Sequence, residues 1–338
     1  MVLILFSCGN KNPYPYKISD FRTELQNPLK ILSKGKEIPS RDTIARNFIA
    51  DSCTKEELLK LLNCEDPVLR VIAYRIIVNR KDKDYFKILL GHLNDTTKVT
   101  WWYAEDAAND FMVSDMLIMK AIDSRKLTKV EKNILVDSVL LKHLYLRSAF
   151  SMMIDIEPKE KYYSIIKKQS SKNHPSDLTK ECEKLAVTYA LAKYKKEEDI
   201  EYIKNNFKKF TVLPGCNDYI FKSIEVNPHE AYFSILLKYF NENIKKKKHY
   251  TADDLKYYCR AIAKYQNKES LALLMEILDK NNYPDRWSFK YNQESVFKAI
   301  HKYKAPIYED LYKKLKPKMS EFVMEYLDKP DYSEYKTW

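Results

Sequence analysis

Three segments of this chain, aligned on one tyrosine, restrict its fold more than any other feature. ALAKYKKEEDIEYIKNNF (190–207), AIAKYQNKESLALLMEIL (261–278) and AIHKYKAPIYEDLYKKL (299–315) all carry Ala-x-x-Lys-Tyr, a short polar turn and a second amphipathic run. RVIAYRIIVNRKDKDYFKILLGHL (70–93) has the same form with Asn79 at the tyrosine position, and FSMMIDIEPKEKYYSIIKK (150–168) has it around Ile156. IFKSIEVNPHEAYFSILLKYF (220–240) fills the space between Tyr194 and Tyr265. The equivalent positions 79, 156, 194, 265 and 303 are thus spaced by one or two multiples of about 38 residues. Two helices per period predict an all-α fold, an α-solenoid in which stacked pairs bury faces that no pair buries alone.

Local signals agree. In DPVLRVIAYRIIVNR, Asp66 and Pro67 form an N-cap and first-turn pair, and Val68, Val71, Ile72 and Ile76 follow at helical spacing with Arg75 as the polar intruder. TADDLKYYCRAIAKY begins on Thr251 as a cap, with acidic residues at the positive end of the helix dipole. Strand alternation is scarce: TKVTWW (97–102) is the nearest case, and Asp95 and Thr96 before it read equally well as a helix cap. Glycine occurs only at positions 9, 35, 91 and 215, from which neither GxGxxG nor GxxxxGK[ST] can be written. That excludes nucleotide binding through either loop and argues against folds that use glycine at many turns.

The stretch LNCEDPVLRVIAYRIIVNR resembles the second-helix consensus of HEAT-type repeats: a capping Asp-Pro, an arginine, then small and aliphatic residues. The resemblance covers residues 54–316, more faithfully in the last three units than in 100–145. It leaves 21–53 as an N-terminal cap and 317–338 as a C-terminal cap and tail. What it implies is a curved scaffold for proteins, with nucleic-acid binding as the minority use.

Candidate chemistry is sparse. WWYAEDAAND (101–110) places Trp102 and Asp106 four apart, on one face if helical. HEAT-like DNA-alkylation glycosylases carry tryptophans and an aspartate on their concave surface. Trp101, Trp102 and Asp106 therefore define the alternative reading, a cytoplasmic nucleic-acid binder or glycosylase-like enzyme. Glu105, Asp106 and Asp110 would repel a phosphate backbone there. The six histidines, at 92, 143, 174, 229, 249 and 301, are scattered, no cysteine pair has CxxC spacing, and no nucleophile elbow exists. No metal site, no cofactor and no catalysis are expected. Cys182 and Cys259 read as small core residues of helices. Cys53 and Cys64 flank TKEELLKLLN and approach each other if the chain turns there.

The net charge is +12, and its excess is concentrated in residues 159–338, with 35 basic against 26 acidic side chains. The strongest run, IKKKKHY (244–250), puts Lys245, Lys246, Lys247 and Lys248 in an inter-helix loop, a solvated turn or a contact for anionic headgroups or an acidic partner. The tyrosines at 194, 265 and 303 recur with the repeat, which points to packing.

At the N-terminus, Leu5-Phe6-Ser7-Cys8 followed by Gly9 resembles the lipobox of bacterial lipoproteins. The resemblance implies a diacylglyceryl group on the Cys8 thiol and cleavage before it, with residues 1–7 as the end of a signal peptide. KNPYPYK then reads as part of a polar tether over 8–20. Phe6 is bulky for its position, and no Lys or Arg precedes the short apolar run, as a start assigned too late would explain. Gly9-Asn10-Lys11-Asn12 lacks the acidic residues that send some lipoproteins to the cell surface, which favours the periplasmic side. The reading is an envelope protein held to the membrane by lipid alone, binding another protein or an acidic peptide.

Overall fold

The computed structural model describes residues 13–34, 37–38, 42–104, 107–171, 178–207, 216–246, 252–279, 286–329 and 338. Cys8, Asp106, Lys247, Lys248 and the Thr251 cap lie outside them. The described residues are mostly helical, and they divide into two compact units, Met1–Ser151 and Met152–Trp338.

The N-terminal unit contains α1 (Thr23–Lys34), α2 (Thr43–Ser52), α3 (Lys55–Leu61), α4 (Pro67–Asn79), α5 (Tyr85–Gly91), α6 (Val113–Asp123) and α7 (Lys129–Lys142). The unit boundary falls inside α8 (Arg147–Asp155). Helix starts follow from capping chemistry. Asp66 accepts from the amides of Val68 and Leu69 ahead of α4, while Thr54–Glu57 and Thr128–Glu131 form capping boxes for α3 and α7. The first residues of α8 are capped from a distance, because buried Asp115 accepts from the Arg147 amide at 3.1 Å and the Ser148 amide at 2.8 Å. Helix α4 is the centre of this unit, with almost every side chain from Val68 to Val78 buried.

One expectation is corrected here. Strands β2 (Lys98–Ala104) and β3 (Ala107–Met112) pair antiparallel, and β1 (Glu37–Ile38) pairs parallel with β2 to give a three-stranded sheet, β1-β2-β3. Trp101 pairs with Asn109 and Trp102 with Ala108. Successive strand residues point to opposite faces, so Trp101 and Trp102 diverge, and Trp102 stands on a strand and not on the helix that its spacing to Asp106 assumed. Nor is Asp95 a helix cap. Its carboxylate grips Arg70, with Nε to Oδ2 at 2.7 Å and Nη2 to Oδ1 at 3.0 Å, both side chains fully buried.

The C-terminal unit comprises α9 (Glu160–Ser170), α10 (Leu178–Ala192), α11 (Ile200–Asn206), α12 (Asn217–Val226) and α13 (Glu230–Tyr239), which continues into a π-helical turn, Phe240–Ile244. Then come α14 (Ala252–Ala263), α15 (Lys268–Ile277), α16 (Arg286–Tyr303), α17 (Glu309–Leu315) and α18 (Glu321–Glu325). Helix α10 packs on α12, α12 on α14 and α14 on α16, while α11 lies against α13. Small residues at the contacts, among them Ala190, Ser223, Ala261 and Ala299, are buried to 1% or less and let the helices approach closely.

The turns solve the glycine shortage in an unexpected way. Lys195, Gln266 and Lys304 close α10, α14 and α16 with φ of 53°, 53° and 47°, and Lys81 and Arg125 do the same after α4 and α6. A left-handed residue is the usual helix terminator, and glycine usually supplies it. Here long polar side chains take the position and accept its steric cost.

The cysteines also differ from expectation. Cys182 is bonded to Cys216, linking α10 to the residue that precedes α12. It is therefore not a reduced core thiol. Cys53, Cys64 and Cys259 are free and buried, so the approach of Cys53 to Cys64 forms no bond. Burial and the neighbouring Glu57 push the Cys53 thiol up to about 11.

Candidate functional site

The recurring tyrosines are placed by the helix ends that carry them. Tyr194 and Tyr265 follow α10 and α14, just before the left-handed residue, and each sends its hydroxyl to the previous helix pair. Tyr194 Oη donates to the Lys159 carbonyl at 3.0 Å, and Tyr265 Oη to the His229 carbonyl at 2.7 Å. Lys159 and His229 are the N-cap residues of α9 and α13, so the same hydrogen bond recurs at the same place. Tyr303, at the third position, turns instead to Glu225 Oε1 at 2.5 Å.

That exception marks an unusual site. Glu225 Oε1 also receives Arg260 Nε at 3.0 Å and Nη2 at 2.8 Å, and lies 3.1 Å from Lys302 Nζ. One carboxylate on α12 thus collects donors from α14 and α16. Burial alone would raise its pKa; Arg260, Lys302 and the Tyr303 hydrogen bond outweigh burial and hold the carboxyl below its ordinary range.

Along the face shared by α10, α12, α14 and α16, aromatic rings alternate with cations. Tyr189 and Tyr219 lie 6.2 Å apart between centroids, Lys193 stands over Tyr189, Lys222 lies 4.2 Å from the Tyr257 ring centre, and Lys264 stands over Tyr303. Burial pushes the Tyr189 and Tyr219 hydroxyls up to about 12, so neither serves as a base or phenolate nucleophile near neutrality.

This face ends in a cleft of about 600 Å³ between α14, α16 and the region of α18. Lys256, Arg260, Lys298, Lys302, Lys304 and Lys329 line it against a single carboxylate, Asp328, which His301 Nε2 holds at 2.8 Å. Phe322 and Tyr326 form its aromatic rim, 68% and 47% exposed, with ring centroids 4.7 Å apart. A size of several hundred Å³ suits a small ligand or a few residues of peptide.

None of the described residues singled out in the sequence lines this cleft. Trp101 and Trp102 are half-buried in the sheet of the N-terminal unit, Trp101 edge-on to Phe111 at 5.3 Å. Lys245 and Lys246 are exposed in the turn after the π-helical residues. Among the described residues no group of three His, Cys, Asp or Glu could hold a metal ion, and no helix is long and apolar enough to cross a membrane. Glu225, Arg260 and the cleft lysines escaped sequence reasoning because they come from α12, α14, α16 and the residues that follow α16 and α18. Only the basic excess of residues 159–338 as a whole was visible. Compared with family models, curated proteins and solved structures, the chain matches none.

Proposed function

We propose that this chain is a bacterial envelope lipoprotein, anchored through an acylated Cys8, whose HEAT-like helical array presents a binding surface to an acidic protein or peptide and catalyses no reaction. The repeated tyrosine clamp carries the reading. Equivalent hydroxyls of Tyr194 and Tyr265 reach equivalent N-cap carbonyls of the preceding pair, which supports reading the two as successive units of a repeat. The binding surface is the face of α10, α12, α14 and α16, where the basic excess of residues 159–338 meets half-buried aromatic rings.

The disulfide supports the compartment independently of the N-terminal motif. Bonds of this kind persist in oxidising surroundings such as the periplasm and are rare in the cytosol, and Cys182–Cys216 ties two helices of the array. The membrane tether is short in this reading, because Tyr14 already stacks on Arg70, its ring centre 3.7 Å from the guanidinium carbon.

Intact-mass and thiol analysis of the protein from native bacterial membranes tests the reading. The expected species begins at a diacylglyceryl-modified Cys8 and has Cys182 and Cys216 oxidised. A cell-associated full-length chain with unmodified Cys8 and reduced Cys182 and Cys216 would overturn it. Photo-crosslinkers placed at Lys222 and Lys298 in living cells test the surface. A discrete protein adduct is expected from both positions, and adducts from neither would remove the scaffold role.

A further inference from the structure

The cleft at the end of the helical face holds more positive charge than its surroundings neutralise. Arg260 and Lys302 are engaged with Glu225, and Lys329 with Glu325 at 3.2 Å. Lys298 and Lys304, both exposed, line the cleft and make no close ion pair with any described residue, although Lys304 is near enough to act electrostatically on Asp328, which His301 already holds. Two ammonium groups held at one concavity repel each other, and an anion between them relieves that repulsion.

The kind of anion follows from the donors. A guanidinium fork suits a carboxylate, but Arg260, the cleft's arginine, has turned Nε and Nη2 to Glu225. What faces the ligand is lysine, a compact point charge suited to phosphate oxygens. A phosphate monoester brings about −1.5 to −2 charge within a small radius, which matches two ammonium groups. The rim supplies a second recognition element, since Phe322 on α18 and Tyr326 at its C-cap present an exposed aromatic pair.

We propose that this cleft binds a phosphate-bearing ligand, with the phosphate on Lys298 and Lys304 and an adjoining planar or apolar part against Phe322 and Tyr326. The ligand is either free in solution or the headgroup of an anionic lipid. The inference rests on reading this face as a binding surface, but it is independent of acylation at Cys8.

The test uses the full chain carrying Cys8→Ser, which no acyl group can tether, so failure of the anchor and failure of the cleft are separable. Two probes are applied: inorganic pyrophosphate by titration calorimetry, and flotation with phosphatidylcholine vesicles with and without phosphatidic acid. One pyrophosphate site, weakened at least about tenfold in the Lys298→Ala/Lys304→Ala double variant, is the result expected of a free ligand. Vesicle binding that needs phosphatidic acid and is lost in that variant, with no measurable pyrophosphate binding, assigns the headgroup. The Lys245→Ala/Lys246→Ala chain, altered at basic residues that do not line the cleft, should behave as the parent. Equal loss in both double variants, or binding of neither probe, overturns the proposal. So does capture of a glutamate-rich peptide in place of both probes.

Discussion

Arg70 in the N-terminal unit and Arg260 in the C-terminal unit both grip a carboxylate, and the contrast between them separates structure from recognition. Arg70 is sealed: Asp95 takes Nε and Nη2, the Cys64 and Glu65 carbonyls take Nη1 at 2.7 and 3.1 Å, and Tyr14 covers its face. Burial and the adjacent Asp95 push the Tyr14 hydroxyl up to about 12. Arg260 shares its carboxylate with Lys302 and Tyr303 beside a cleft where further cations remain. A closed charge network fixes a fold, whereas one with surplus charge at an open cleft has capacity for a ligand.

The contrast can be broken most severely at Arg70. Arg70→Met leaves Asp95 buried without its partner and should lower stability by about 3–5 kcal/mol, read as a fall in the urea midpoint. The double variant Arg70→Met/Asp95→Leu should recover much of that loss. Cys182→Ser/Cys216→Ser, which opens a loop of sequence separation 34 in the other unit, should cost about 3 kcal/mol. If the two units unfold separately, each of these changes moves only one transition in calorimetry.

Glu225 gives a pH signature of its own. A folded-state pKa below the unfolded value means that its stabilisation is present above about pH 4.3 and is lost as pH falls through the folded value. Thermal melts taken from pH 7 down to pH 3 should show this acid loss in the parent chain, and Glu225→Gln should flatten it. A smaller effect is expected of Tyr265→Phe. It removes the hydroxyl from the His229 carbonyl and should cost about 1 kcal/mol in urea unfolding, while Tyr291→Phe, on a half-exposed side chain, should cost nothing measurable.

The smallest effect has the opposite sign. Left-handed backbone costs an ordinary residue about 1–2 kcal/mol, and glycine loses about 0.5–1 kcal/mol of that advantage through chain entropy. Gln266→Gly and Lys195→Gly should therefore each raise stability by about 0.5–1 kcal/mol in the same titration.

Much of the helical organisation was legible because its determinants are local. Asp66-Pro67 caps α4 as read, and each Ala-x-x-Lys-Tyr stands at the end of a helix. The strand pair was not legible. The β3 sequence AANDFM lacks apolar–polar alternation, with its exposed pair Asn109 and Asp110 flanked by half-buried residues. Its strand conformation is set by pairing with β2. Arg70 hid for a related reason: it stands in an apolar run, and only Asp95, 25 positions later, accounts for its burial. The disulfide joins a helical position to a loop residue, with no spacing rule to reveal it. The cleft depends on the packing of α14, α16 and α18, which one-dimensional reading cannot supply.

The sheet has a consequence for how copies of this chain meet. In the order β1-β2-β3, no strand among the described residues pairs with the outer side of β3, and an edge of this kind presents backbone groups that can pair with another molecule. Asp110 is exposed on that strand and accepts the Thr100 hydroxyl at 3.0 Å. Its charge makes edge-to-edge self-association unfavourable, so Asp110 works against polymerisation of the chain through this edge.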